Sequence, residues 1–245
     1  MIGILTAVRE ELKPLLRKMP SVDVESTGGI LFHRGFIAGK QVVVARSGIG
    51  RERAATAARI LIERYHPDSV LCIGFAAGLR PDVVPGDLIL ATSIAESLVP
   101  DDRLVGIAAQ TRGEDVAVHS GPLLCVDQVV HSVEEKYELA ARFPNSVGLD
   151  MESAGIAAAA SNFGVPWLVV RAVTDGLDDS LPPLVEPFRR RSCIDPETGE
   201  VIPLRMILLA VFCPRVVPKL VRLGGRAGAA ARNLANFVES YLGQL

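Results

Sequence analysis

Short runs of Ile, Val, Leu and Ala alternate along the chain with alanine-rich segments whose apolar positions recur at helical spacing. Five runs, at residues 2–5, 41–46, 69–73, 87–92 and 167–173, are apolar almost without a break. That is the pattern of strands covered on both faces, because a strand with one wet face alternates apolar and polar positions. Residues 51–65 (RERAATAARILIERY) keep apolar side chains on one stripe and charges on the other, which predicts a covering helix. Residues 151–162 (MESAGIAAAASN) are small and apolar nearly all round, which predicts a helix packed deep against the sheet with Glu152 in its first turn. Strand-like runs separated by helical ones predict an α/β protein, a single three-layer domain whose central sheet is mixed and mostly parallel.

Composition narrows the class. The chain has 245 residues, 49% of them hydrophobic and only 5% aromatic, ample apolar content for a buried core and far from a disordered composition. A net charge of -2 gives no protein-wide attraction to nucleic acid. No apolar run approaches the ~18 residues of a membrane span, and the first ten residues lack a cationic, cleavable leader, so a cytoplasmic location is expected. Cys72, Cys125, Cys193 and Cys213 form no CxxC and lie apart from the histidines, so no metal site or disulfide framework is expected, and Cys72 and Cys125 read as small buried residues.

Three places put polar or glycine-rich chemistry at strand ends, where α/β sheets bind ligands. Ser47-Gly48-Ile49-Gly50 falls between a strand and a helix; glycine there suits a close ligand approach and equally a tight turn, and it lacks the Lys-Ser/Thr ending of a phosphate loop. Residues 73–79 (IGFAAGL) follow a strand and precede the turn at 84–87 (VPGD). The third place joins residues 148–153 (GLDMES) and 170–175 (VRAVTD). Desolvation at the end of a buried strand favours a protonated Asp175, suited to a general acid, whereas Glu152 at a helix start is expected to stay ionised and accept hydrogen bonds from hydroxyls.

Taken in order with the N-terminal GILTAVREEL, these segments resemble the purine nucleoside phosphorylase and nucleosidase superfamily, and most of all its methylthioadenosine/S-adenosylhomocysteine nucleosidases. The resemblance runs from about residue 1 to residue 175 and implies a nucleoside phosphorylase-like fold that cleaves the ribosyl N-glycosidic bond of an adenine nucleoside. It implies that Asp175 protonates the purine at N7, that Glu11 activates the attacking water, and that Glu152 binds the ribose hydroxyls with Met151 under the sugar. Val8 and Ile49 then fall near the 5' substituent, and Val129 where relatives offer an aromatic face to the base. No cofactor is implied, inorganic phosphate being a co-substrate only of a phosphorylase, and a homodimer is the expected assembly.

Two departures bear on the acceptor. Phe75 stands where relatives generally have serine, and Cys72 where hexameric phosphorylases carry a phosphate-binding arginine. Phosphate needs such donors, so hydrolysis is preferred to phosphorolysis, with Arg9, Arg46 or the run Arg189, Arg190 and Arg191 as alternative anion ligands. A nucleoside-binding sensor that lost catalysis is the non-enzyme alternative.

Residues 181–203 read as a lid loop, and 204–245 as a helical segment interrupted by Pro214, Pro218, Gly224 and Gly225. With the run after Asp175, this region resembles the hopanoid-associated phosphorylases, which implies a lipid-bearing adenine nucleoside, adenosyl-hopane, as substrate. The segment 204–245 carries six bases and one acid, against 20 bases and 27 acids before it. A basic amphipathic stretch of this kind can rest on an anionic membrane, or simply cover the domain with its basic face in water.

Overall fold

A computed structural model describes residues 1–95, 97–111, 116–181 and 217–245. All of the expected lid loop at 181–203 but Leu181, with the three consecutive arginines, Cys193, Cys213 and Pro214, therefore lies outside the described residues. The elements follow as β1 (Ile2–Thr6), α1 (Arg9–Leu16), β2 (Val22–Thr27), β3 (Ile30–Ile37), β4 (Lys40–Arg46), α2 (Arg51–Tyr65), β5 (Ser69–Gly78) and β6 (Leu88–Ile94). Then come α3 (Asp102–Gln110), β7 (Val118–Cys125), α4 (Val133–Arg142), β8 (Gly148–Asp150), α5 (Ser153–Asn162), β9 (Trp167–Asp175) and, after the undescribed stretch, α6 (Val217–Leu242).

The sheet order is β2-β3-β4-β1-β5-β8-β7-β6-β9, with β5 also paired to β9. Strand β1 runs parallel to both neighbours, Ile4 lying opposite Val44 and Leu71. The sheet is mixed: β5 is parallel to β9 along its length but antiparallel to β8 at its end, and β6 is antiparallel to β9. Since β9 closes on both β5 and β6, the strands β5, β8, β7, β6 and β9 form a ring. That closure gives the far half of the sheet no open edge.

Helices α2 and α5 cover one face over a core that includes Phe32, Ala57, Leu61, Ala157 and Trp167. The opposite face is covered by α1, α3 and α6, packing Leu15, Leu104, Leu234, Phe237 and Tyr241 on Ile4, Val44 and Leu168. The small side chains of α5 have a packing cause. A Cβ on Gly155 would lie 2.1 Å from the Arg51 carbonyl oxygen, so α5 touches the start of α2 backbone to backbone.

The predicted strands are present but longer. The run at 69–73 continues to Gly78, 87–92 becomes Leu88–Ile94, and 167–173 continues to Asp175. Helix α5 starts at Ser153, so Glu152 is its N-cap rather than a member of its first turn. Pro218, Gly224 and Gly225 do not interrupt the last helix. Pro218 falls in its first turn, where the missing N–H has no intrahelical acceptor, and packing from Ala230 onward sustains the rest.

Candidate active site

The C-terminal ends of β1, β5 and β9, the start of α5 and the segment after β7 converge on a cavity of about 210 Å³. It is lined by all eight residues singled out from the sequence: Glu11, Asp175, Glu152, Met151, Phe75, Val129, Ile49 and Val8. Glu11, Glu152 and Asp175 are buried, the others half-buried, and Val129 is exposed at the mouth. Arg9 and Arg46 do not line it.

Glu11 sits in the first turn of α1. Its Oε2 accepts the N–H groups of Ala7 (2.7 Å) and Val8 (3.0 Å), and Oε1 accepts that of Phe75 (2.8 Å). Burial pushes the proton affinity of this carboxylate up, against the opposing pull of Arg171 and of those N–H groups. Phe75 thus contributes its backbone to the site where a hydroxyl was missed from its side chain.

Glu152 accepts the N–H of Gly50 through Oε1 at 2.9 Å, which gives the SGIG segment a definite task. The helix start is not the main influence on Glu152. Its side chain makes no cap hydrogen bond, and burial pushes it up to about 7, with Arg171 opposing and Asp150 reinforcing the rise.

Beneath these carboxylates lies Arg171, 1% exposed, in the middle of β9. Its Nη2 pairs with Asp150 Oδ2 at 2.5 Å and donates to Cys72 Sγ at 3.0 Å. Asp150 also accepts from the Ser153 hydroxyl and N–H, at 2.6 and 3.1 Å. Burial pushes the Cys72 thiol up and the Cys125 thiol up to about 12, so neither is a nucleophile at neutral pH.

Asp175 is held by two side-chain partners. Oδ1 accepts the Thr174 hydroxyl at 2.8 Å, and Oδ2 meets the ammonium of Lys136, 2.5 Å away and fully buried. Sequence reasoning missed Arg171, Asp150 and Lys136. The signal for Arg171 was a cation inside an apolar strand that is covered on both faces. Lys136 had none, since EEKYE reads as an ordinary solvated helix face.

The chain matches the model of the phosphorylase superfamily over residues 1–97 and 94–192, and it belongs to that superfamily. Within it the chain is an enzyme that cleaves an N-glycosidic bond. A 5'-methylthioadenosine/S-adenosylhomocysteine nucleosidase of Shewanella pealeana is 29% identical over 205 residues, 74% of this chain and 88% of the relative. That of Maridesulfovibrio salexigens is 28% identical over 196 residues, 71% of this chain and 85% of the relative. The same nucleosidase of Neisseria meningitidis, solved with methylthio-immucillin-A, superposes with a TM-score of 0.76 at 25% identity, covering 100% of this chain and 99% of that one. Futalosine hydrolase of Helicobacter pylori shares the fold at 24% identity, with a TM-score of 0.76 and 100% and 97% of the two chains covered.

Proposed function

We propose that the protein releases adenine from an adenine nucleoside with an apolar 5' substituent, and that the acceptor is water. The observation that carries this reading is the charge on the acceptor side of the cavity. Among the described residues Glu11, Asp150 and Glu152 line it, and the arginine that reaches Asp150, Arg171, is already committed to Asp150 and Cys72. A phosphate dianion beside three buried carboxyl groups would be repelled, and Arg171 could serve it only by leaving Asp150 buried and unpaired. A water molecule meets no such opposition, and a carboxylate of raised proton affinity such as Glu11 suits a general base.

In this reading Glu11 takes a proton from water as the oxygen bonds to C1' of the ribose. The C1'–N9 electron pair moves onto the purine, Asp175 donates a proton to N7, and adenine leaves neutral. Glu152 holds the ribose hydroxyls over Met151, while Val8, Ile49 and Phe75 receive the 5' group. Methylthioadenosine fits this class, as the named activities of the relatives suggest, whereas S-adenosylhomocysteine, the other nucleoside in those names, ends its 5' group in a charged amino acid. A lipid-bearing nucleoside such as adenosyl-hopane fits it too, supported by the resemblance of the region after Asp175, and the family likeness favours a homodimer.

Contact of the C-terminal segment with a membrane finds less support. From Ala230 to Leu242 the apolar stripe of α6 is buried against the sheet, and Arg226 pairs with Asp179 at 2.8 Å. No helix among the described residues is long and apolar enough to cross a membrane.

The test is adenine release from 5'-methylthioadenosine and from a lipid-bearing adenine nucleoside, with and without phosphate, and identification of the sugar product. Free pentose made without phosphate is the expected result. Strict phosphate dependence with sugar 1-phosphate formed would overturn the hydrolytic reading, and no adenine from either substrate would overturn the substrate class.

A further inference from the structure

The fully buried Lys136 sits in the first turn of α4, whose start is fixed by a reciprocal cap. The Ser132 hydroxyl accepts the Glu135 N–H at 3.1 Å, and Glu135 Oε2 accepts those of Ser132 and His131 at 3.2 and 3.0 Å. The next residue, Lys136, therefore leaves the helix in one direction. Its ammonium has three donors and meets three acceptors: Asp175 Oδ2 at 2.5 Å, the Gly176 carbonyl at 2.8 Å and the Asp179 carbonyl at 2.9 Å. No donor is left over, and the loop leaving β9 is tied to the ammonium that touches the catalytic carboxyl. An ammonium sealed from water is costly unless it is paired in this way, so Asp175 and Lys136 form one unit.

We infer that Lys136 is a positioning residue that drives proton delivery by Asp175, because handing the proton to the purine restores the Lys136–Asp175 ion pair. This rests on the reading of Asp175 as the acid. The free site has Asp175 accepting on both oxygens and facing an ammonium, so the carboxyl takes up its proton from solvent as the base binds. The purine N7 cannot share an edge with a carboxylate that has no proton. When C1'–N9 breaks, the Oδ–H bond breaks, the N7–H bond forms, and the carboxylate returns to Lys136. The attraction between ammonium and carboxylate is recovered in the transition state and is missing from the protonated ground state, which is the condition for it to accelerate the step.

The other charged groups around the pair are occupied. Asp179 Oδ2 binds Arg226 of α6 and the Gly176 N–H, Asp178 accepts from Tyr137, and Glu135 caps α4. His131 is the exception: its backbone carbonyl accepts the Leu181 N–H, but its buried Nδ1 has no hydrogen-bond partner among the described residues. Glu11 and Glu152 line the same cavity with Arg171 and Asp150 below them.

The experiment combines carboxyl-¹³C aspartate NMR of the free protein with adenine release from 5'-methylthioadenosine across pH, for the unmodified protein, Lys136→Met, Lys136→Arg and Asp175→Asn. The Asp175 resonance is assigned by its loss in Asp175→Asn. In Lys136→Met that carboxyl should titrate ~1–3 pH units higher than in the unmodified protein. The alkaline fall of kcat should move up with it, maximal kcat should drop ~10–100-fold and KM should change little. Lys136→Arg should restore both profiles, and if Lys136→Met does not fold, Lys136→Gln supplies the uncharged comparison. Superimposable titrations with and without the ammonium would overturn the inference, as would a rate loss with no displacement in pH. The functional reading fails separately, through near-normal adenine release by Asp175→Asn, or through no release by the unmodified protein while the NMR comparison still decides the role of Lys136.

Discussion

A Cβ placed on Gly74 would lie 2.1 Å from Nη1 of Arg171 and 3.0 Å from Oε1 of Glu11. The absent side chain lets the guanidinium pass under β5 and reach Asp150 and Cys72. Gly74→Ala should therefore displace a cation that has nowhere to go, at about 1–3 kcal/mol of stability. It should lower adenine release at least ~10-fold, since a small misplacement of catalytic groups is costly. Thermal unfolding and turnover of the purified variant measure the two effects.

Glu152 makes a pH-dependent contribution of defined sign. Burial raises it from an ordinary 4.5 to about 7, so between those values the folded protein holds a proton that the unfolded chain releases. Stability falls as pH rises through this window, by an amount on the order of 3 kcal/mol once the group is fully ionised. Glu152→Gln should melt higher than the parent at pH 8, with the difference vanishing near pH 4.5. The same variant should bind substrate poorly at every pH, while the parent loses affinity as pH drops below about 7 and the hydroxyl-accepting carboxylate is protonated. Melting curves and KM at several pH values check both signs.

Glu11→Gln tests the base. An amide offers one acceptor oxygen where three N–H groups now share two, so one edge of the side chain is left facing a donor. A loss of about 1–3 kcal/mol of stability is expected. Turnover should fall by ~10²–10⁴-fold with a much smaller change in KM, because the carboxylate acts on the water and not on the nucleoside. Steady-state kinetics against a melting curve separate the chemical loss from the structural one.

The last helix is a covering element. Leu234 is 1% exposed in the cluster that joins α6 to the sheet. Leu234→Ala should cost about 2–5 kcal/mol, as a buried leucine in a well-packed core does. If the stripe instead served a membrane, the variant would keep its stability in solution and lose binding to anionic vesicles. Chemical denaturation and vesicle sedimentation distinguish the two.

Much of the frame is written in local patterns. Helix α2 occupies residues 51–65 as its apolar stripe predicts, and the strand cores lie where β-branched residues run together, because burial on two faces leaves no room for polar alternation. The residues that carry the family motifs are also local, so the eight lining residues could be named before any contact was known. Even the hairpin of β2 and β3 has a signal in Gly28-Gly29, both at positive φ, though its half-exposed strands carry too little apolar content to stand out.

What tertiary structure decides is the company each carboxyl group keeps. Glu152 stands at a helix start in sequence, and becomes a group near 7 because the fold buries it. The closed ring of β5 to β9, the burial of Arg171 against Asp150 and the partnership of Lys136 with Asp175, 39 positions away, join separate elements that no spacing rule connects. Charge and desolvation depend on distance in space, so the sequence by itself determined which groups could do chemistry, and the fold determined in which protonation state and against which partner each is held.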